Sequence, residues 1–161
     1  MSQILAYRPA IDSDMRLVVE GFLDSYRTSH AAGLISMERW HDVMKNEWMT
    51  ILARPGTEVF VAYCPDEKGT MSDLYGYIVV ERSYEHKGEP MPFVVYIYVK
   101  HSFRKKGWHI FSGLFKAAEI DPSEPFHYAC KTAAVSRLKP KTPKAQWKPL
   151  AMRFPPPKKT P

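Results

Sequence analysis

The sequence predicts a single α/β domain, and three patterns carry that prediction. Residues 94–99, Val-Val-Tyr-Ile-Tyr-Val, are an unbroken apolar run rich in β-branched and aromatic side chains, as in a strand buried on both faces. A short basic turn with one glycine follows. Ile110, Phe111, Leu114, Phe115 and Ala118 then recur with the spacing of a helical stripe. Finally, two amphipathic helical stretches and two further strand-like runs precede this unit.

In chain order, residues 3–8 read as a short first strand. Asp12, Ser13 and Asp14 can cap and charge a helix start. Met15, Val18, Val19, Phe22, Leu23 and Tyr26 then share a face, which predicts a helix over about 13–28. Ser36 caps a second helix over about 37–53, whose face carries Met37, Trp40, Met44, Trp48, Ile51 and Leu52; Arg54-Pro55-Gly56 stops it. Strands follow at 58–64 and 74–81, separated by a polar loop. Residues 82–92 read as another polar loop, 93–100 as the central strand, 107–119 as a third helix and 126–130 as a strand. Thr132 to Leu138 suits a short helix, and Trp147 to Phe154 a terminal strand. These readings divide the chain into a domain at 1–138 and a basic, Pro-rich, partly ordered extension at 139–161.

Composition bounds the function. With 161 residues, 45% hydrophobic and 13% aromatic, one core can form. No apolar run approaches the roughly 20 residues of a membrane span, and the N-terminal residues lack a signal-peptide pattern. Cys64 and Cys130 have no metal-ligand spacing, and a reducing cytoplasm is expected. The six histidines are scattered, so no metal site is expected, and neither a Ser/His/Asp hydrolase signature nor a P-loop is present. All 17 acidic residues lie within 1–124, whereas 125–161 holds nine Lys and Arg and no acid. That asymmetry suits an anionic partner or a solvated basic tail.

The segment from the central strand into the third helix resembles motif A of the GNAT N-acyltransferases. There a strand ending in Tyr-Val leads, four residues on, into Arg/Gln-x-x-Gly-x-Gly/Ala. Here Tyr98-Val99 lead into Arg104-Lys105-Lys106-Gly107-Trp108-His109, with His109 in place of the last small residue. Arg8-Pro9-Ala10 and the Gly76-Tyr77-Ile78-Val79-Val80 strand also resemble that superfamily, over about residues 3–131. Arg54-Pro55-Gly56 and the basic loop are similar to those of compact phage-encoded GNAT-like proteins. The resemblance implies a mixed, mostly antiparallel twisted sheet flanked by helices. It also implies transfer of an acyl group, with acetyl-CoA or a related acyl-CoA as co-substrate, to an amine in a ternary complex.

By that resemblance Ile97, Tyr98 and Val99 contact the pantetheine arm through backbone, and Arg104 to His109 cradle the diphosphate. Backbone N–H groups at a helix start and nearby cations suit such an anion. Tyr26, Arg27, His30 and Trp40 are the implied acceptor contacts, with Trp40 equally suited to the core and His30 to a loop. No motif fixes the proton-handling residues. Glu81, after a long apolar run, is the first candidate base; a solvated strand end is its other reading. Tyr98, otherwise a core residue, and Tyr128 are the next candidates, because the helical tyrosine usual after the fifth strand is missing. On strand alternation Tyr98 shares a face with Val94 and Tyr96, and Glu81 with Tyr75, Tyr77 and Val79. A second reading is a GNAT-shaped nucleic-acid-binding protein that uses the basic residues of 131–159 with Trp147 among them. Phage Mom proteins, which resemble GNAT domains and modify adenine in DNA, share no residue-level match with this chain.

Overall fold

The computed structural model describes residues 5–25, 32–65, 71–100, 102–103, 107–130 and 141–148. The elements are β1 (Ala6–Pro9), α1 (Asp12–Asp24), α2 (Met37–Leu52), β2 (Thr57–Pro65), β3 (Met71–Glu81), β4 (Glu85–His86), β5 (Glu89–Pro90), β6 (Phe93–Val99), α3 (Gly107–Ala117), β7 (Phe126–Tyr128) and β8 (Ala145–Trp147). Six strands form one sheet in the order β1-β2-β3-β6-β7-β8. Its first four strands are mutually antiparallel; β7 joins β6, and β8 joins β7, in parallel. The expected mixed, mostly antiparallel sheet flanked by helices is therefore present. Among the described residues no helix is long and apolar enough to cross a membrane.

Several expectations need adjustment. Residues 82–92 are not wholly loop: β4 and β5 form a small hairpin there, with Lys87 and Gly88 at positive φ in its turn. Ile11, not an acidic residue, is the N-cap of α1. The Asp14 carboxylate instead accepts the Ile11 N–H at 2.9 Å. Ser36 caps α2 as expected, accepting the Arg39 N–H at 3.2 Å. In the stretch expected to be an extension, Ala145–Trp147 forms an edge strand of the main sheet. The suggested helix at 132–138 lies outside the described residues.

Two bulges reset side-chain parity. Between Val79 and Val80 the β3–β6 register shifts, so Val95 is an extra residue of β6. Tyr96 and Tyr98 therefore face α1 and α2 together with Phe93 and Val95, while Val94 faces α3 with Ile97 and Val99. A second shift, between Ala62 and Tyr63, makes Tyr75 extra on β3. It turns Tyr75 towards α3, away from Tyr77 and Val79. Both parity expectations from simple alternation are corrected in this way.

The sheet thus has two unlike faces. Ala62, Ile78, Val80, Val94, Ile97 and Val99 pack with Ile110, Phe111 and Leu114 of α3 in a largely aliphatic layer. Against α1 and α2 lies an aromatic layer. Phe22 stacks on Trp48 at 4.1 Å, and both meet the Tyr96 ring edge-on, at 5.2 and 5.7 Å.

Candidate functional site

The extra residue at Val95 bends β6 just where it leaves β7. The parallel pairing covers Phe93 with His127 and Val94 with Tyr128, and the Ala129 N–H closes it on the Val94 carbonyl at 3.0 Å. Beyond that point the two strands share no ladder among the described residues. They part into a V-shaped cleft lined by Tyr96 and Ile97 on one side and Tyr128 and Cys130 on the other, with Phe115 beneath. Thr142 and Ala145 close its far wall. Burial pushes the Cys130 thiol up to about 12 and raises the Tyr128 phenol, so both keep their protons near neutrality.

At the other end of β6 the chain turns into α3. Lys100 donates its N–H to the Tyr75 carbonyl at 2.8 Å, and the Phe103 N–H reaches the Lys100 carbonyl at 2.9 Å. The Phe103 ring packs edge-on against Tyr75, centroids 3.9 Å apart. The bulge that redirects Tyr75 thus anchors the entry to the basic loop, a role that sequence spacing did not reveal. Gly107 begins α3, whose first turn has N–H groups without intrahelical partners and carries no acidic residue. The His109 side chain is exposed, and its carbonyl accepts from the Tyr7 hydroxyl at 3.3 Å. A Cβ on Gly113 would overlap the Tyr7 ring, so this glycine lets β1 clamp the start of α3.

The candidates named from sequence are only partly brought together. Ile97 lines the cleft, and Tyr128 faces it from β7. Tyr98 and Val99 continue β6 towards the loop; Tyr98 stacks on Tyr77 at 5.4 Å, on the α1 side. Trp40 packs against the aromatic layer, 6.4 Å from the Phe22 ring. Gly107 and Trp108 open α3. Tyr26, Arg27, His30, Arg104, Lys105 and Lys106 lie outside the described residues.

Glu81 stands apart. It is in register with Phe93, whereas Gly76 meets Val99, so it sits at the end of β6 remote from the loop. Along the strand that places it on the order of 15 Å from Tyr98. Its carboxylate is 6% exposed and accepts from Thr57 Oγ1 at 3.1 Å, the Ser83 N–H at 3.1 Å and Ser83 Oγ at 2.6 Å. It lines a separate hollow with Arg82, Met91, Phe93 and Ile120.

No family model matches the sequence, and no curated protein matches it either. Solved structures do. A protein from Pyrococcus furiosus named as an acetyl transferase aligns over 89% of this chain and 95% of its own, with a TM-score of 0.67 and 16% identity. A Bacillus subtilis protein named as an acetyltransferase, YycN, aligns over 86% and 90%, with a TM-score of 0.62 and 16% identity. The aminoglycoside 6'-N-acetyltransferase AAC(6')-Ih of Acinetobacter baumannii aligns over 98% and 95%, with a TM-score of 0.51 and 16% identity. At such identity the likeness is one of fold, and the fold is that of the GNAT acetyltransferases.

Proposed function

We propose that the protein is a GNAT-type N-acyltransferase that carries an acetyl or related acyl group from acyl-CoA to an amine. One observation carries this reading: the parting of β6 from β7 opens an apolar cleft on the strand that runs into the start of α3. In this reading the pantetheine arm runs along the parted strand, its amides meeting the backbone of Ile97, Tyr98 and Val99. By the resemblance, the diphosphate is assigned to Arg104, Lys105, Lys106, Gly107, Trp108 and His109, of which Gly107 opens α3. By the same resemblance the amine is assigned to Tyr26, Arg27, His30 and Trp40, of which Trp40 packs on the α1–α2 side. It must arrive neutral and attack the thioester carbon; the C–N bond forms as the C–S bond breaks. Tyr98 and Tyr128 flank that point from opposite faces of β6 and β7. Glu81, held by three hydrogen bonds at a remote corner, is a structural residue in this reading.

Acetyl-CoA should raise the melting temperature, since a ligand bound only to the folded state adds about 2.7 kcal/mol at a hundred times its Kd. Arg104→Glu, which sets a negative charge against the diphosphate, should abolish most of that shift. No shift and no calorimetric heat with millimolar acetyl-CoA would sink the proposal.

A nucleic-acid role is a second reading, supported by Trp147. It is 44% exposed on edge strand β8, between Lys144 and Lys148. Under it, DNA binding weakens steeply with salt and disappears when residues 139–161 are deleted, while acetyl-CoA binding survives.

A further inference from the structure

The cleft beside β6 is smaller than the ligand assigned to it. Its enclosed space measures about 30 Å³, room for a water or two. Sites for small organic ligands run from about 300 Å³ upwards. Most of its walls belong to the framework. Residues 94–97 come from β6, which β3 holds from the other side, and Phe115 packs on Phe126 with ring centroids 5.4 Å apart. Thr142 and Ala145 come from an element of another kind. Among the described residues β8 is a three-residue edge strand that pairs on one side alone, with β7. Thr142 is the one buried residue of the segment 141–148. The Lys144–Glu124 ion pair at 3.2 Å has both side chains more than half exposed, so it adds little. A segment that buries so little opens at low local cost. Trp147 supplies a specific tie: its indole N–H donates to the Ala129 carbonyl at 3.0 Å, and the N–H of the same Ala129 closes the β6–β7 ladder on Val94. The tie therefore sits where the strands part.

Resting on the acyl-CoA reading above, we propose that residues 141–148 are a strap that closes the cleft in the free protein, with Trp147 as its latch, and that the strap leaves its place when an acyl-CoA enters. A pantetheine arm cannot share about 30 Å³ with Thr142 and Ala145 in their present positions. Displacing Phe115 or Phe126 instead would break into the core that α3 builds on the sheet. Opening the strap gives up the short β7–β8 ladder and the indole hydrogen bond, and it leaves the antiparallel strands β1, β2, β3 and β6 as they are. The free protein is then mostly closed, and its apparent affinity for CoA is reduced by the fraction of molecules whose strap is open. Trp147 does not line the cleft. Weakening its tie therefore raises that affinity, the reverse of what loss of a ligand contact does.

The test needs no acceptor. Hydrogen exchange is read across β8 in the full-length protein, with and without saturating CoA. The Lys148 N–H, held by the Tyr128 carbonyl at 2.8 Å, and the β8 amides beside it should lose protection when CoA binds, while β2 and β3 lose none. Trp147→Phe keeps an aromatic ring and removes the indole N–H. It should bind CoA about fivefold faster and about fivefold tighter than the wild type, the factor that one hydrogen bond represents. Strap amides that keep or gain protection with CoA bound overturn the strap, and so does a Trp147→Phe variant that binds CoA no faster and no tighter. Absence of calorimetric heat with CoA in both the wild type and the variant overturns the acyl-CoA reading itself.

Discussion

The two faces of the sheet are built from different chemistry. Towards α3 the layer is aliphatic, and none of its buried side-chain polar atoms lacks a partner among the described residues. Towards α1 and α2 the layer is aromatic, and it leaves Trp48 Nε1 and Tyr77 Oη buried without partners among the described residues. Unpaired buried polar atoms are rare because they lower stability. A chain that tolerates them on one face and avoids them on the other has divided its labour. In the reading proposed above, the α3 face holds the sheet and the α1–α2 face, with Trp40 among its residues, adjoins the acceptor site, and functional sites commonly break rules that the rest of a protein obeys.

The sharpest way to break this contrast is to truncate the α3 face. Leu114 is 0% exposed among Ile78, Val80, Ile110 and their neighbours. Leu114→Ala should lower stability by about 3 kcal/mol, through lost burial plus the cavity left behind. In a protein of this size the melting temperature should fall by roughly 10 °C. Below the transition acetyl-CoA affinity should be unchanged, because Leu114 does not line the cleft. A loss under about 1 kcal/mol, seen by chemical denaturation, would mean that this face is not the structural one.

The α1–α2 face has its own anchor, and it is polar. Asp14 on α1 is fully buried; its carboxylate accepts from Arg8 on β1 at 2.6 and 3.2 Å and from the Ile11 N–H. Burial by itself raises that carboxyl, but the Arg8 and Ile11 hydrogen bonds outweigh it and hold the group below its ordinary 3.8. A carboxyl lowered by folding stabilises the folded state above its unfolded pKa. That contribution is lost as pH falls through the lower, folded value. Asp14→Asn should therefore destabilise by about 2 kcal/mol at neutral pH, with the gap to the wild type closing as pH drops below about 4. A constant gap from pH 7 to pH 2 in urea melts would contradict this account.

What the sequence made legible follows from period and punctuation. The run at 94–99 marks β6 by its unbroken β-branched and aromatic residues, and the stripe from Ile110 to Ala118 marks α3 by its period of 3.6. The basic residues between them, 104–106, lie outside the described residues. The bulges were not legible: one extra residue at Val95 and one at Tyr75 leave no mark in hydrophobicity, yet they part Val94 from Tyr96 and Tyr98, and Tyr75 from Tyr77 and Val79. β6 parts from β7 beside the first bulge, so alternation could not locate the cleft either. Tyr77 was hidden in another way. In sequence it is one more aromatic in an apolar strand, and only its surroundings show that its hydroxyl is unpartnered. His127 likewise reads as polar, but it is 2% exposed and meets the Tyr84 hydroxyl at 2.9 Å through Nδ1.

Glu81 supplies the smallest effect and the finest test of the contrast. Its strand parity matches Tyr77 and Val79, so by sequence it belongs with the reactive groups of the α1–α2 face. Its hydrogen bonds at the Thr57–Ser83 corner support the framework role proposed for it. Gly56 adjoins the same corner: a Cβ there would overlap the carboxylate and stand 2.6 Å from Ser83 Oγ. Glu81→Gln keeps one acceptor oxygen for the Ser83 donors. The new amide N–H can donate to Thr57 Oγ1, whose own proton turns to the Ile51 carbonyl 2.9 Å away. The net loss should be about 1 kcal/mol, the scale of a rearranged neutral hydrogen bond. Turnover of acetyl-CoA with an amine found by screening, followed by thiol release, should change less than twofold. Loss of a general base would lower kcat by about 100-fold or more, with a deficit that shrinks as pH rises and free amine becomes abundant. That pattern, with an unchanged melting temperature, would move Glu81 from the framework to the chemistry.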